Sequence, residues 1–290
     1  MPAEPAQLAL VAIELALLLA GAGFLLTLLG KPLARQRWLG TNLLPHWPVT
    51  LPEFLFAALL VFAGGFILQG VVHAVFGPRI AGAADRTGLE LFIYGAGFHF
   101  GILGGCALFP LLRRQLYSQY GGEPPPGRSA PALPPARLLA YAAGTVLIAL
   151  PVLTLLSLGW TELLRACGLP DEPQDLIGIF AKTRSPWVVA GMLFVACGLA
   201  PLSEELLFRA GLYRFVRQKL GRMPALLISG ICFGLLHGNW AGFLPLAVLG
   251  MILALSYEAT GSIRVAVLAH SLFNLNTILI VLSGLQEISS

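Results

Sequence analysis

The chain has 290 residues, of which 57% are hydrophobic and only 11% carry a charge. Soluble domains have about 25% charged residues, so this composition excludes an ordinary soluble protein and indicates a polytopic membrane protein. The formal net charge of +4 does not indicate nucleic-acid binding, because the basic residues fall in connections between apolar segments, where they orient a membrane protein.

Eight apolar segments are candidates for crossing a bilayer, which takes about 20 residues. The first is too long for the apolar core of a signal peptide and has no Lys or Arg before it, so we expect it to be retained. The sixth is shorter than a usual span. The sequence thus predicts an all-α polytopic bundle of about eight transmembrane helices, with limits near 8–30, 53–77, 89–111, 138–159, 187–208, 224–238, 242–258 and 263–283.

The connections between these segments alternate in charge. Most Lys and Arg residues lie in every second connection, which by the positive-inside rule places those connections in the cytoplasm and both chain ends outside. The longest connection, Leu112–Arg137, contains three consecutive prolines and is expected to be irregular. The abundance of Ala, Leu, Gly and Pro is typical of a GC-rich bacterial source, so we expect the protein in a bacterial inner membrane.

Three polar patterns lie within the fifth, sixth and eighth apolar segments. They are Glu204-Glu205-x-x-x-Arg209, Phe233-x-x-x-His237 and His270-x-x-x-Asn274. An ionisable residue at membrane depth is disfavoured by a few kcal/mol and is therefore a functional candidate. Isolated polar residues elsewhere, namely Glu14, Glu53, His73 and His99, are expected to make helix–helix contacts without chemistry.

Helical geometry separates the two adjacent acids. Neighbouring residues of a helix point about 100° apart, so Glu204 and Glu205 cannot face the same way. Glu205 and Arg209 have the i, i+4 spacing of an ion pair. One interpretation is that this pair holds the helix while Glu204 faces a cavity. The opposite assignment stays open, because Arg209 could also reach another helix.

Spacing from a predicted turn indicates that the patterns share one depth. Glu204 lies nearly as many residues before Gly221 as His237 lies after it. In an antiparallel helix pair both would be about 24–26 Å from the turn. His270 and Asn274 share a helical face and enter from the same cytoplasmic side. Segments five, six and eight can therefore line one pocket that opens inward.

These residue types suit hydrolysis of a peptide bond. A buried carboxylate can accept a proton from water, and a histidine can orient that water or protonate the leaving amine. Histidine and asparagine N–H groups can stabilise an oxyanion. Alternatively, Glu204, His237 and His270 could bind Zn²⁺, since two histidines and one carboxylate form a known ligand set. The spacing H-E-x-x-H of zinc proteases is absent, however.

In this order, the three motifs resemble those of the type II CAAX prenyl endopeptidases, also called the CAAX-protease and bacteriocin-processing family of intramembrane proteases. The resemblance covers roughly Trp187–Leu282. It implies that Glu204 activates water with the assistance of His237. It also implies an oxyanion site at His270 and Asn274. Glu205, Arg209 and Phe233 would support the site, with Phe233 as packing.

The resemblance further implies a metal-independent site, so we expect no cofactor, with zinc as the alternative. The expected partners are the lipid bilayer and a membrane-anchored or lipidated protein or peptide. Residues 186–290 would form the catalytic membrane domain, and residues 1–185 would form a four-span region that gates substrate entry. Two rival hypotheses are a proton-coupled transporter, since buried Glu and His serve proton relays, and a non-catalytic immunity or scaffold protein.

Overall fold

The structure is a computed structural model that describes residues 5–127, 132–172 and 175–283. Within these ranges every regular element is a helix. In chain order the helices are α1 Pro5–Gly30, α2 Pro32–Leu39, α3 Leu51–Ile80, α4 Arg86–Gln119, α5 Pro135–Ala166, α6 Asp175–Lys182, α7 Pro186–Leu220, α8 Arg222–Leu236, α9 Trp240–Thr260 and α10 Ile263–Leu282.

Seven helices of the described ranges are long and apolar enough to cross a membrane. They are α1, α3, α4, α5, α7, α9 and α10. Helix α8 is apolar but has only 15 residues. The polytopic helical bundle predicted from the sequence is therefore confirmed, with seven full-length spans and one shorter helix where eight spans were predicted.

The connections are more helical than the sequence indicated. Helix α4 continues to Gln119 and α5 begins at Pro135, so the prediction of an irregular connection over Leu112–Arg137 was wrong at both ends. The short helices α2 and α6 were not predicted. Proline at the start of α2 explains that helix in part. Its ring fixes φ at a helical value, and an N–H group in the first helical turn would have no partner within the helix in any case.

Glycines let α3 and α4 pack backbone against backbone. A Cβ atom built on Gly101 would lie only 2.1 Å from the carbonyl oxygen of Gly64, and one on Gly105 would lie 2.6 Å from that of Leu60. Small residues at such crossings allow close van der Waals contact between membrane helices. A glycine also allows close packing of α8 against α9, where a Cβ atom on Gly234 would lie 2.6 Å from the carbonyl oxygen of Phe243.

Helix α7 is α-helical except for two π-helical segments, Val195–Leu199 and Leu206–Tyr213. The first segment ends just before Pro201, which has no N–H and whose ring would clash with a carbonyl one turn earlier in a regular helix. The widened turn accommodates this ring. Such π segments occur frequently at functional sites, and the two in α7 flank Glu204 and Glu205.

A buried polar network fixes the cytoplasmic end predicted for α7 and α8. The Glu258 carboxylate of α9 accepts hydrogen bonds from Tyr213, Arg217 and Arg222, and its side chain is fully buried. Its backbone carbonyl also accepts the N–H of Leu43. The hairpin between α7 and α8 and the connection before α3 are therefore both tied to the end of α9.

Candidate active site

Glu205 is held at the centre of a buried ion pair. Its Oε1 atom accepts from Arg209 Nη1 at 2.7 Å and from His270 Nδ1 at 2.9 Å. The side chains of Glu205 and Arg209 are completely buried. Because this carboxylate faces a guanidinium at hydrogen-bond distance, it is an acceptor only, and the i, i+4 pairing expected from the sequence is present.

This arrangement fixes the tautomer of His270. Since Glu205 can only accept, Nδ1 of His270 must carry the proton that it donates. The other ring nitrogen, Nε2, lies 3.9 Å from Oε2 of Glu204. His270 therefore bridges the two adjacent carboxylates, one through a hydrogen bond and the other across a longer gap.

Glu204 differs from its neighbour in its surroundings. Its side chain is 13% exposed, whereas that of Glu205 is completely buried. The Oε2 atoms of both acids are buried and accept no hydrogen bond from a residue in the described ranges. A buried carboxylate oxygen without a donor is unusual, because buried polar atoms are nearly always hydrogen-bonded. One acid of the pair is thus fixed by protein partners, and the other remains open to a polar ligand such as water.

The Phe233 ring brings the three motifs together. The guanidinium carbon of Arg209 lies 4.2 Å from the centre of this ring. The rings of His237 and His270 lie edge-on to it at 4.9 Å and 5.7 Å. Phe233 therefore packs against Arg209 of the first motif, His237 of its own motif and His270 of the third.

Arg209 has room for its guanidinium because of a glycine on α9. A Cβ atom on Gly250 would lie 3.2 Å from Nη2 of Arg209. Nε and Nη2 of this guanidinium are buried and have no hydrogen-bond partner among the described residues. The ion pair with Glu205 and the cation–π contacts with Phe233 and, at 5.8 Å, with Phe208 help to compensate for its burial.

His237 lies just beyond the helix that was predicted to contain it. The sixth span was predicted as 224–238, but α8 ends at Leu236 and His237 is its C-terminal cap. Nδ1 of His237 lies 2.8 Å from the carbonyl oxygen of Phe233, which can only accept, so Nδ1 donates. The last carbonyls of a helix lack backbone partners, and the imidazole satisfies one of them.

The contact between α7 and α8 agrees with an antiparallel hairpin. Phe208 and Phe233 lie almost equally far along the chain from Gly221, on opposite sides of it. Their rings meet edge-on at 5.3 Å. Gly221 itself has a φ of +90°, a backbone conformation that favours glycine. The tight turn thus sets the two helices in a register that brings the first and second motifs to a similar level.

Asn274 is tied to the π segment of α7. The N–H of Ala200 bonds to the carbonyl of Val195, five residues back, and Pro201 has no N–H to offer. The intervening carbonyl of Ala196 is therefore bypassed, and Nδ2 of Asn274 donates to it at 2.8 Å. The asparagine holds α10 against the distorted turn that precedes Glu204.

His99 of α4 is a further member of this neighbourhood. Its Nδ1 atom lies 2.7 Å from Oγ of Ser203, whose hydroxyl donates to the carbonyl of Ala200, so His99 is the donor. His99 also lies within electrostatic range of Glu204 and His270. The sequence indicated only an isolated polar residue here, because no spacing rule connects α4 to α7.

The other isolated polar residues make contacts between helices, as expected. Glu14 accepts from Asn276 at 3.3 Å, and Glu53 pairs with Arg113 at 2.7 Å. The His73 ring packs on Tyr94 at 5.0 Å. These contacts join α1 to α10 and α3 to α4.

No group of three His, Cys, Asp or Glu side chains in the described ranges is arranged so that it could hold a metal ion. The ligand set considered from the sequence, Glu204 with His237 and His270, therefore does not fit a metal in this arrangement.

Comparison with known proteins agrees with the region that carries the motifs. Residues 185–276 match the family model described as "Type II CAAX prenyl endopeptidase Rce1-like". Over 83 residues, 29% of this chain and 34% of the relative, the sequence is 30% identical to "Putative membrane peptidase YdiL" of Bacillus subtilis (strain 168). The match thus spans about a third of that relative's length. No solved structure matches the chain significantly.

The matched region contains all three motifs and the helices that bring them together around Phe233. Together with the apolar spans, this match identifies an integral membrane protein. The region from residue 185 to residue 276 is similar in sequence to the type II CAAX prenyl endopeptidase Rce1-like family.

Proposed function

We propose that the protein is an intramembrane endopeptidase in which Glu204 activates a water molecule. The observation that carries the proposal is the unequal pair of carboxylates. Glu205 is completely buried and its Oε1 is bonded to Arg209 and His270, whereas the Glu204 side chain is 13% exposed. Oε2 of Glu204 has no donor among the described residues and faces Nε2 of His270 at 3.9 Å. A carboxylate in this position can hold a water molecule and accept its proton.

In the proposed reaction, Glu204 removes a proton from the water as its oxygen attacks the carbonyl carbon of the scissile peptide bond. A tetrahedral intermediate with a negative oxygen forms. Collapse of this intermediate breaks the C–N bond, and the proton taken up by Glu204 passes to the leaving amine. His237 assists this transfer, since its Nδ1 is committed to Phe233 and its Nε2 is the nitrogen that can accept and return a proton.

Two donors are proposed for the negative oxygen. Asn274 uses one amide hydrogen to hold Ala196, which leaves its second hydrogen for the oxyanion. His270 can donate through Nε2 only when its ring carries both protons, because its Nδ1–H already serves Glu205. When the ring carries one proton, Nε2 instead accepts a hydrogen bond from the attacking water.

The substrate is proposed to be a membrane-associated protein or peptide, cleaved in a C-terminal or leader region. This follows from the depth of the site in an apolar bundle and from the name of the matching family, which refers to CAAX prenyl endopeptidases. The basic residues of the hairpin between α7 and α8 favour an opening toward the cytoplasm. We further propose that residues 1–185 control entry and that residues 186–290 carry out hydrolysis.

A matched set of variants tests the proposal. Glu204→Gln and His237→Ala should abolish cleavage of a membrane-anchored reporter, with losses of at least about 100-fold expected for groups that transfer protons. Glu123→Gln, in an exposed connection, removes the same charge elsewhere and should retain full activity. Cleavage that persists in the Glu204 variant would refute the mechanism.

The same variants separate hydrolysis from its rivals. If neither wild type nor variant cleaves any membrane protein, while transport or protection persists in both variants, the protease hypothesis fails. Comparing the C-termini of membrane proteins from wild-type and Glu204→Gln strains would identify the substrate as the fragment found only in wild type.

Metal dependence has a separate test. Purified protein should retain its activity after treatment with a zinc chelator. Loss of cleavage on chelation, with recovery when zinc is returned, would replace the metal-independent mechanism by the zinc alternative.

A further inference from the structure

A second feature of the molecule is an apolar cavity that the proposed reaction does not use. It lies between α3 and α4 on one side and α7 and α8 on the other, and its volume is about 420 Å³. This falls within the range of roughly 300–1,000 Å³ that is usual for small-molecule sites. Its wall consists almost wholly of aliphatic and aromatic side chains, including Phe54, Val61, Phe109 and Leu212.

Arg214 is the exception in this wall. It is the one charged residue among the described residues that line the cavity. Its guanidinium packs over Trp47 at 4.6 Å and interacts with the Tyr257 hydroxyl. Its Nε atom is buried and has no hydrogen-bond partner in the described part of the chain.

The absence of an acidic partner distinguishes Arg214 from its neighbours. Arg217 and Arg222 both pair with Glu258, whereas no carboxylate in the described ranges pairs with Arg214. Arg214 is partly buried, and its Nε atom is buried without an acceptor. A cation in this position that lacks a counter-charge favours an anionic ligand, because burying an unpaired charge is costly. A long apolar cavity wall beside such a cation is complementary to an amphiphile with an anionic head.

The cavity also has a route to the bilayer and a connection to the active site. Cys232 and Leu236 of α8 line it and are exposed on the surface of the bundle, so an acyl chain could enter from lipid. Apart from Arg214, its α7 wall consists of residues of the π segment Leu206–Tyr213, which also carries Arg209. Phe208 of this segment contacts Phe233 edge-on.

We propose that this cavity binds the acyl chain of an anionic lipid, with the lipid's carboxylate or phosphate paired to Arg214. The proposal is independent of the proposed hydrolysis, since it depends only on the cavity and its single cation. A fatty acid and an anionic phospholipid share this chemistry, and protection measured with each of them separately distinguishes the two.

Cysteines within the wall provide the measurement. Cys106 and Cys232 line the cavity, whereas Cys167 is exposed in the connection after α5 and serves as an internal control. The full-length protein in nonionic detergent is alkylated with N-ethylmaleimide, and modification of each cysteine is followed by mass spectrometry. Oleate or phosphatidylglycerol should slow alkylation of Cys106 and Cys232 and leave Cys167 unchanged.

Neutral analogues test the role of the charge. Oleyl alcohol and phosphatidylcholine should protect about tenfold less well than their anionic counterparts, the loss expected when one charge-assisted hydrogen bond is missing. Protection by oleate alone would identify a fatty acid, and protection by phosphatidylglycerol alone would identify a phospholipid. Equal protection by neutral and anionic lipids, or protection by none of them, would overturn the proposal.

Variants locate the binding site. Arg214→Gln should weaken protection by the anionic lipid about tenfold, Arg214→Lys should keep most of it, and Arg114→Gln, at an exposed position, should change nothing. Ala58→Phe fills the cavity and should abolish protection, whereas Leu59→Phe on the outer face of α3 should not. Unchanged protection in both Arg214→Gln and Ala58→Phe would place the lipid elsewhere and refute the site.

Discussion

At the residue scale, substitutions of the two adjacent acids of α7 are expected to have different effects on stability. Glu205→Gln removes the partner of a completely buried guanidinium, and breaking a buried pair in this way costs about 3–5 kcal/mol. Glu204→Gln alters a carboxylate whose buried Oε2 accepts no hydrogen bond from a described residue. We therefore expect thermal unfolding in detergent to shift strongly downward for Glu205→Gln and little for Glu204→Gln.

The control for this comparison is the double replacement of Glu205 and Arg209 by Gln and Met. Removing both charges leaves no unpaired ion, so the double variant should be more stable than Glu205→Gln alone. If the single Glu204 variant unfolds first instead, then Glu204 is the structural acid and the opposite assignment of the pair holds.

We predict that His99 positions the helical turn that contains Glu204, through its hydrogen bond to Ser203. His99→Leu removes the hydrogen bond to the Ser203 hydroxyl and should lower kcat for reporter cleavage about tenfold, with KM nearly unchanged. In His99→Asn the side-chain amide can still donate to Ser203, so this variant should recover most of the activity. Failure of asparagine to rescue would refute a role for His99 that consists of this hydrogen bond alone.

Sequence spacing predicts contacts within one helix but not contacts between distant helices. The i, i+4 spacing of Glu205 and Arg209 predicted their pairing correctly, because that contact lies within one helix. The hydrogen bond from His99 to Ser203 joins residues 104 positions apart. No local periodicity encodes such a contact, so His99 could only be described as an isolated polar residue.

At the element scale, the π segment Val195–Leu199 depends on a side chain from another helix. Asn274→Leu leaves the bypassed carbonyl of Ala196 without its donor, and a buried unsatisfied carbonyl costs about 1–3 kcal/mol. Amide hydrogen exchange should therefore increase in residues 195–201 and thermal stability should fall. Both effects are measurable on the purified protein, whether or not a substrate is known.

A matched control for this variant lies two residues further along α10. Asn276→Leu removes an amide of the same size, which contacts Glu14 rather than α7. It should leave exchange in residues 195–201 unchanged. If both variants raise exchange equally, loosening of α10 as a whole is responsible, and the specific role of Asn274 in the π segment is excluded.

The position of apolar helices was predictable because hydrophobic length alone selects them. The π segment Val195–Leu199 was not, since it arises from Pro201 inside an otherwise continuous helix and from a donor supplied by α10. The end of α8 was also missed, because Gly238 adopts a φ of +61° and closes the helix before His237 can join it. A hydropathy pattern carries no information about either feature.

At the scale of the whole molecule, the family match covers only residues 185–276, yet contacts from earlier helices reach the site and its supports. His99 of α4 bonds to Ser203, Glu14 of α1 accepts from Asn276, and the connection before α3 bonds to Glu258. The proposed division into residues 1–185 and 186–290 is therefore one of roles. It does not imply that the catalytic region can work alone.

A split protein tests this interdependence. A fragment of residues 186–290 lacks His99 and the partners of α9 and α10, so it should not cleave a membrane-anchored reporter. Fragments 1–168 and 169–290, divided after the exposed Gly168, whose φ of +66° marks a turn, should co-purify and restore cleavage when expressed together. Adding His99→Leu to the first fragment should lower the restored activity as it does in the intact chain. Full activity of residues 186–290 alone would show that the first four spans act only on substrate entry and contribute nothing to the catalytic geometry.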